Sequence, residues 1–194
     1  MEIVKRVAPS SLLPVDLATV KMHCKLDPDG TSEDVIVGIY LNAAVRACEN
    51  KLQRSIMTAA HELYAKCWKL RFNLQQYPVT AINSVKYYDV DGALQTIASG
   101  MYRVQSFRAP CVLEFDSEFD TPGLHDREFP IVVNFQAGYV AATGTDGVVD
   151  IIRDALLMET ADRYENRQNE IAGNSIAMFS NNAESWLAQE SLWL

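Results

Sequence analysis

The sequence has no apolar run long enough to cross a membrane and no paired cysteines. Its apolar stretches fall short of the roughly 18 residues that a transmembrane helix needs. The first residues, Met1 to Arg6, lack the basic-then-apolar order of a signal peptide. These two absences predict a soluble protein that is made in the cytoplasm.

The cysteines give no disulfide framework. A chain of 194 residues has the length of one domain with an appendage, and it buries enough apolar surface to fold without disulfides. Single cysteines in such a chain behave as small apolar residues. We therefore expect four buried thiols, at Cys24, Cys48, Cys67 and Cys111.

Positive charge is also scarce. Lys and Arg number 17 against 25 Asp and Glu, which gives a net charge of −8. Proteins that bind nucleic acid through phosphates carry the opposite sign. The composition therefore disfavours a general attraction of the whole protein to DNA, RNA or anionic membranes.

Motifs for catalysis, metals and cofactors are missing as well. The Asp-x-Asp-Gly segments at 27–30 and 89–92 lack the later glutamate of a calcium loop, so they predict plain turns. The three histidines occur singly, and adjacent His23 and Cys24 point in different directions on a helix. Glycine spacing fits no phosphate-binding loop. We expect no enzyme activity, no metal site and no cofactor.

Three segments have the apolar spacing of helices, at about 16–26, 32–53 and 148–167. Asp16 and Ser32 are good N-caps for the first two. In the first helix the spacing predicts that Lys21 faces water. In the second, the predicted apolar stripe consists of Ile36, Ile39, Tyr40, Ala43 and Ala47. Its small residues would let another helix approach closely, and they are Ala43, Ala44, Ala47 and Cys48. The apolar face of the third is wide enough for two partners, the body of the protein and a neighbouring subunit.

Strand-like patterns fill the segment from about 56 to 137. Asp91-Gly92 lies between two runs of strand formers, which predicts a hairpin. One strand is expected between Ile56 and Trp68, and further strands are expected at 102–105, 112–115 and 131–137. The acidic segment 116–130 reads as an exposed loop. The predicted fold class is α+β, a helical body with an inserted antiparallel β-module and an extended C-terminal tail.

The last residues are unusually rich in tryptophan and leucine. Such side chains are rarely left on the surface of a monomer. Either the tail packs on its own core or, as we favour, it anchors the chain to a partner, with tryptophans as hot spots. The candidate anchors are Trp186, Leu187, Leu192, Trp193 and Leu194.

Several segments occur together in a distinctive order. They are Val15-Asp16-Leu17-Ala18-Thr19-Val20-Lys21, Ser32-Glu33-Asp34, Glu49, Arg54-Ser55-Ile56, Val85-Lys86-Tyr87-Tyr88-Asp89-Val90-Asp91-Gly92, Phe135-Gln136-Ala137-Gly138-Tyr139 and Ala161-Asp162-Arg163-Tyr164-Glu165-Asn166-Arg167. Over about residues 10–168, this chain resembles the head-to-tail connector, or adaptor, proteins of tailed bacteriophages. The tail after Gln168 follows no pattern of that family.

The resemblance implies a non-enzymatic structural protein of the virion neck, with a connector domain at 1–168 and a docking tail at 169–194. It implies a ring of about twelve copies that joins the portal protein to a head-closure or tail protein. Genomic DNA passes through the ring without specific binding during ejection, and no membrane is involved. By the same resemblance, the tail docks on the portal.

Side-by-side packing in a ring also suits the small and apolar helix faces. The candidate packing residues are Ile39, Ala43, Ala47, Ile151, Ala155 and Met158. Either the hairpin tip at 89–92 or the 116–130 loop meets the next tail component, and the sequence does not choose between them. The alternatives are a head-closure or tail-completion ring protein, or a small phage effector or enzyme.

Overall fold

The structure is a computed structural model that describes residues 2–8, 13–52, 54–105, 110–139 and 150–166. These residues form two compact units, each described by itself below. The helical unit contains 13–52 and 150–166, and the β unit contains 2–8, 54–105 and 110–139. Three helices and two antiparallel sheets confirm the α+β class. The predicted tail at 169–194 and its five anchor residues lie outside the described residues.

All three predicted helices are present in the helical unit, each somewhat shorter than expected. They are α1 (Leu17–His23), α2 (Asp34–Leu52) and α3 (Asp150–Glu165). Asp16 is the N-cap of α1, and its Oδ1 accepts a hydrogen bond from the Thr19 backbone N–H at 2.8 Å. Ser32 instead lies in the turn before α2.

The buried face of α2 differs from the predicted stripe. Residues with small or apolar side chains occur on more than one side of this helix, so its periodicity does not select the buried face by itself. The residues that are buried are Val37, Leu41, Ala44, Cys48 and Leu52. The helix α3 packs against α2 and buries Ile152, Ala155, Leu156 and Thr160.

Lys21 is buried, contrary to the expectation that it faces water. Its side chain is 6% exposed, and its Nζ donates to Asp34 Oδ1 at 2.8 Å and to the Gly30 carbonyl at 2.9 Å. A buried ammonium is tolerated when it is paired and hydrogen-bonded in this way. The turn at 27–30 therefore also supplies a backbone carbonyl, that of Gly30, which accepts a hydrogen bond from Lys21.

The β unit contains eight strands in two antiparallel sheets. The strands are β1 (Glu2–Ala8), β2 (Ala59–Ala65), β3 (Arg71–Asn73), β4 (Val79–Tyr88), β5 (Leu94–Thr96), β6 (Tyr102–Gln105), β7 (Val112–Phe115) and β8 (Ile131–Ala137). The five-stranded sheet has the order β1-β2-β8-β4-β5, and the three-stranded sheet has the order β3-β7-β6. Their buried side chains form one apolar core, with Phe72, Leu113 and Phe135 fully buried.

The predicted hairpin and the strands at 102–105, 112–115 and 131–137 are confirmed. Sequence analysis missed β1, β3 and the first half of β4. The strand β3 has only three residues, and β1 finds its partner β2 more than fifty residues later in the chain. Local sequence patterns carry little information about β1 and β3, because the stability of these two strands comes from pairing with distant strands.

Three of the four cysteines are buried as expected, but Cys67 is exposed. It follows the end of β2, where the chain leaves the sheet. No helix among the described residues is both long enough and apolar enough to span a bilayer.

Candidate assembly surfaces

Hydrogen bonds between distant segments hold the helical unit together. Lys21 is paired with Asp34, and the Tyr164 hydroxyl donates to Glu33 Oε2. These residues belong to three of the segments that resemble the connector family. In this chain the Lys21–Asp34 bond therefore connects α1 to α2, and the Tyr164–Glu33 bond connects α3 to the start of α2.

One side of α2 presents exposed apolar side chains. Val35 is 78% exposed and Ile39 is 56% exposed, and Ala43, four residues further on, is half-buried. Residues four apart lie on the same side of a helix, so these three form a stripe about 12 Å long. We call Val35, Ile39 and Ala43 the α2 outer face. It is the kind of surface that a second helix covers.

The predicted packing residues divide between outward and inward positions. Ile39 and Ala43 belong to the α2 outer face, and Ala47 is half-buried. On α3, Ile151 and Met158 are half-buried. Ala155 is fully buried inside the helical unit.

In the β unit, the hairpin tip and the acidic loop form one surface. The His125 backbone N–H donates to the Tyr88 carbonyl at 3.0 Å, and the Arg127 guanidinium lies 3.8 Å from the centre of the Tyr88 ring. These contacts join residues 116–130 to the hairpin tip at 89–92. We call the combined surface the acidic lobe.

Charge is distributed unevenly between the acidic lobe and the rest of the β unit. The lobe carries seven carboxylates and one arginine, whereas the rest of the described β unit has three carboxylates and eight basic side chains. The Gln95 amide, on the neighbouring strand β5, donates to Asp89 Oδ2 of the lobe at 2.8 Å. This bond, together with backbone donors, lowers the pKa of Asp89 from its usual value. Asp89 therefore keeps its negative charge at lower pH than an ordinary aspartate does.

A buried polar cluster that sequence analysis missed lies in the β unit. Ser55 Oγ donates to Gln76 Oε1 at 2.9 Å and lies 3.3 Å from His61 Nε2. Ser55 is 2% exposed and His61 is 3% exposed, so a substrate does not reach them. His61 Nδ1 is 3.0 Å from the Ala59 carbonyl. The cluster thus pairs polar groups that are buried inside the β unit.

Metal-ligating side chains do not gather anywhere in the described part of the chain. No group of three His, Cys, Asp or Glu side chains there has the geometry to hold an ion. The α2 outer face and the acidic lobe are two surfaces on which several side chains are exposed together. Both are suited to contacts with other macromolecules.

Neither protein-family models nor curated proteins match this chain. Its fold is shared with chains in solved gene transfer agent (GTA) particles. One, in the neck of an empty GTA particle computed with C6 symmetry, is 19% identical, with a TM-score of 0.78 over 96% of this chain and 94% of that one. A chain in the virion of a native GTA particle is 18% identical, with a TM-score of 0.73 over 95% and 94%.

A third similar chain is in the neck of a native GTA particle computed with C12 symmetry. It is 18% identical, with a TM-score of 0.70 over 95% of this chain and 94% of that one. At these identities the likeness shows a common fold. The coverage means that the likeness is not confined to one of the two units.

Proposed function

We propose that this protein is an adaptor of a phage-like particle, a ring subunit that joins the portal vertex of the head to the tail. The observation that carries the proposal is the fold shared with chains of GTA particles, two of them in necks, over at least 95% of this chain. The order of the connector-like segments in the sequence supports the same function. On this proposal the protein is structural and works in the virion neck.

The α2 outer face supports assembly into a ring. The necks of the similar structures were computed with C6 and C12 symmetry, which fits a ring of about twelve copies here. A closed ring needs two different surfaces on each subunit. We assign Val35, Ile39 and Ala43 to one of them, and Ile151 and Met158 of a neighbouring copy to the other. Ala47 extends the first surface along the same helix.

The two ends of the ring have different partners. The tail anchors Trp186, Leu187, Leu192, Trp193 and Leu194 dock on the portal protein. The acidic lobe, in which the hairpin tip and the 116–130 loop act together, meets the head-closure or tail protein. Its exposed Val90, 67% accessible, supplies an apolar contact among the carboxylates. We assign part of the −8 charge of each chain to the wall that faces the channel, where it would repel phosphates so that DNA slides through the ring without binding.

Native mass spectrometry with purified portal protein tests this function. We expect the full-length chain to bind the portal as a ring of about twelve copies. A chain that lacks residues 183–194 is the matched variant, and we expect it to stay folded by circular dichroism and to lose portal binding.

Other outcomes separate the alternatives. A full-length chain that ignores the portal but binds the tail protein is a head-closure or tail-completion protein. A chain that binds neither partner contradicts a neck function. Portal binding that survives the truncation places the portal contact outside the last twelve residues.

A further inference from the structure

Both end strands of the five-stranded sheet have one edge without a strand partner in the described part of the chain. The strand order β1-β2-β8-β4-β5 places β1 at one end and β5 at the other. Among the described residues β1 pairs with β2 and β5 pairs with β4, each on one side only. An outer edge of this kind presents N–H and C=O groups on which another strand can pair.

The two end strands run in the same direction. The four pairings that lead from β1 through β2, β8 and β4 to β5 are all antiparallel. Four reversals leave β5 parallel to β1. Neighbouring copies in a twelve-fold ring differ by a rotation of about 30°, which changes the direction of a strand by no more than that angle. The β5 edge of one copy and the β1 edge of the next therefore match as a parallel pair.

Exposed apolar side chains lie at both edges, on the same face of the sheet. The registers place one row of residues across all five strands, on the face opposite the β-unit core: Ile3, Tyr64, Val132, Lys86 and Thr96. Side chains alternate along a strand, so Leu94 lies on the same face as Thr96. Ile3 is 39% exposed and Leu94 is 50% exposed. A sheet that continues from one copy to the next would bring these apolar side chains together.

Opposite charges lie beside the two edges. On β1, Lys5 is exposed on the same face as Ile3. At the other end of the sheet, Asp89 is bonded to Gln95 of β5, and Asp91 is exposed in the turn that joins β4 to β5. A lysine on an open edge opposes pairing with unrelated strands. An edge flanked by carboxylates attracts that lysine, so the second copy is the partner that the charges favour.

We propose that β1 of one copy pairs with β5 of the next copy as parallel strands, which joins the five-stranded sheets of neighbouring subunits edge to edge. The pairing rests on the proposed adaptor ring and adds a β-unit contact to that of the α2 outer face. Each copy supplies two different edges, as a closed ring requires. With Lys5 opposite Leu94 of the neighbour, the lysine ammonium reaches Asp91, and Ile3 contacts Leu94 diagonally.

Thiol cross-linking between copies tests the contact. In a Cys67→Ser background, Val7→Cys and Thr96→Cys place thiols at the two edges, and the remaining native cysteines are buried. Within one chain these edges are four strand spacings apart, about 19 Å, so a short bismaleimide joins the thiols only between copies. The matched control pairs Val7→Cys with Asn73→Cys, an exposed residue of β3 in the other sheet. We expect ladders of linked chains on denaturing gels, with the control yield about tenfold lower.

The same cross-linking is carried out on rings bound to purified portal protein and on the concentrated chain alone, where we expect ladders at lower yield. A ring on the portal without ladders overturns the strand contact and leaves the adaptor function intact. Ladders from the chain alone without portal binding support the strand contact and contradict the adaptor function. Equal yields from the two cysteine pairs, or no ladders in either sample, overturn the strand contact.

Charge exchange at the two edges is a second measurement. We expect Lys5→Glu to lower the ladder yield about tenfold, because like charges then meet at the contact. Adding Asp91→Lys should restore the yield, since the pair is then present with its signs exchanged. Lys66→Glu, at an exposed lysine that follows β2, is the matched control and should leave the yield unchanged. If Asp91→Lys restores nothing, or if both lysine variants lose the same yield, the proposed pairing is wrong.

Discussion

Gly138 follows β8 with a φ of +141°, a region that side chains with a Cβ rarely adopt. A Cβ at this position would lie 2.4 Å from the carbonyl carbon of Met57 and from the Thr58 nitrogen. Next to it, the Tyr139 hydroxyl accepts a hydrogen bond from Arg54 at 2.7 Å. The two connector-like segments that contain Arg54 and Gly138 therefore meet, and glycine permits the approach.

We expect Gly138→Ala to lower the free energy of unfolding by about 3 kcal/mol, because backbone strain adds to the contact with Met57. Urea denaturation followed by circular dichroism measures this change. The matched control is Gly38→Ala in α2, where a Cβ meets nothing within 4 Å. Alanine is the better helix former there and should raise stability by about 0.5–1 kcal/mol. Equal effects of the two substitutions would contradict the role of Gly138.

The cysteines show how position decides the chemistry of one residue type. Burial, with the nearby Glu159 carboxylate adding to it, raises the pKa of Cys48 to about 11. Its thiol is therefore neutral and inert at physiological pH. Cys67 lies between Lys66 and Trp68 in the sequence, and its side chain is exposed. The residue type alone suggests that a cysteine is buried, but the exposure of Cys67 depends on where β2 ends.

Among the elements, the three-stranded sheet is tied together by one carboxylate on its central strand. Glu114 of β7 accepts a hydrogen bond from Arg71 of β3 at 2.8 Å. It also accepts bonds from Arg103 at 3.2 Å and Gln105 at 2.7 Å, both on β6. The arginines lie directly opposite Glu114 in the strand registers. These donors, Arg71 first, hold the pKa of Glu114 below its usual range.

A lowered pKa makes the contribution of Glu114 depend on pH in one direction. The stabilisation is complete above the ordinary glutamate pKa of about 4.3, and it is lost as the pH falls through the lower value of the folded state. We therefore expect Glu114→Gln to lower the melting temperature at pH 7. The difference from the parent should shrink as the pH falls below about 4.

Thermal melts across this pH range measure the effect. Glu118→Gln, at an exposed carboxylate of the acidic lobe, is the control for loss of one negative charge. We expect its difference from the parent to stay within about 0.5 kcal/mol at pH 7, as for other surface substitutions. A Glu114→Gln difference that is the same at pH 7 and at pH 3.5 would argue against the proposed linkage.

At the scale of the whole molecule, the α2 outer face is an apolar surface that lies exposed among the described residues. Val35 and Ile39 are largely exposed, although neighbouring positions on the same helix are fully buried. Exposed apolar residues at helical spacing mark surfaces that a partner covers. In the proposed ring that partner is the next copy of the chain.

We expect the double substitution Val35→Asp and Ile39→Asp to prevent ring formation on the portal, because two carboxylates would be desolvated at each subunit contact. The folded monomer should lose less than about 1 kcal/mol of stability, since both side chains are exposed. Native mass spectrometry and sedimentation velocity measure the assembly.

Val90→Asp is the matched control, because it places a carboxylate at an exposed apolar residue of the acidic lobe. We expect that variant to form rings of the normal size. If the double α2 variant still forms full-sized rings, the α2 outer face is not part of the subunit contact.

The sequence by itself determined the α+β class, the three helices, the hairpin and the strands at 102–105, 112–115 and 131–137. These features depend on spacing, capping and turn residues within a few positions of one another. Only the tertiary structure decided that Lys21 is buried, which face of α2 is exposed, and that β1 adds to a sheet formed mainly by later residues. It also joined the hairpin tip and the 116–130 loop, which the sequence left as alternatives. Each of these depends on contacts between residues far apart in the chain, and local sequence patterns do not specify which distant residues come into contact.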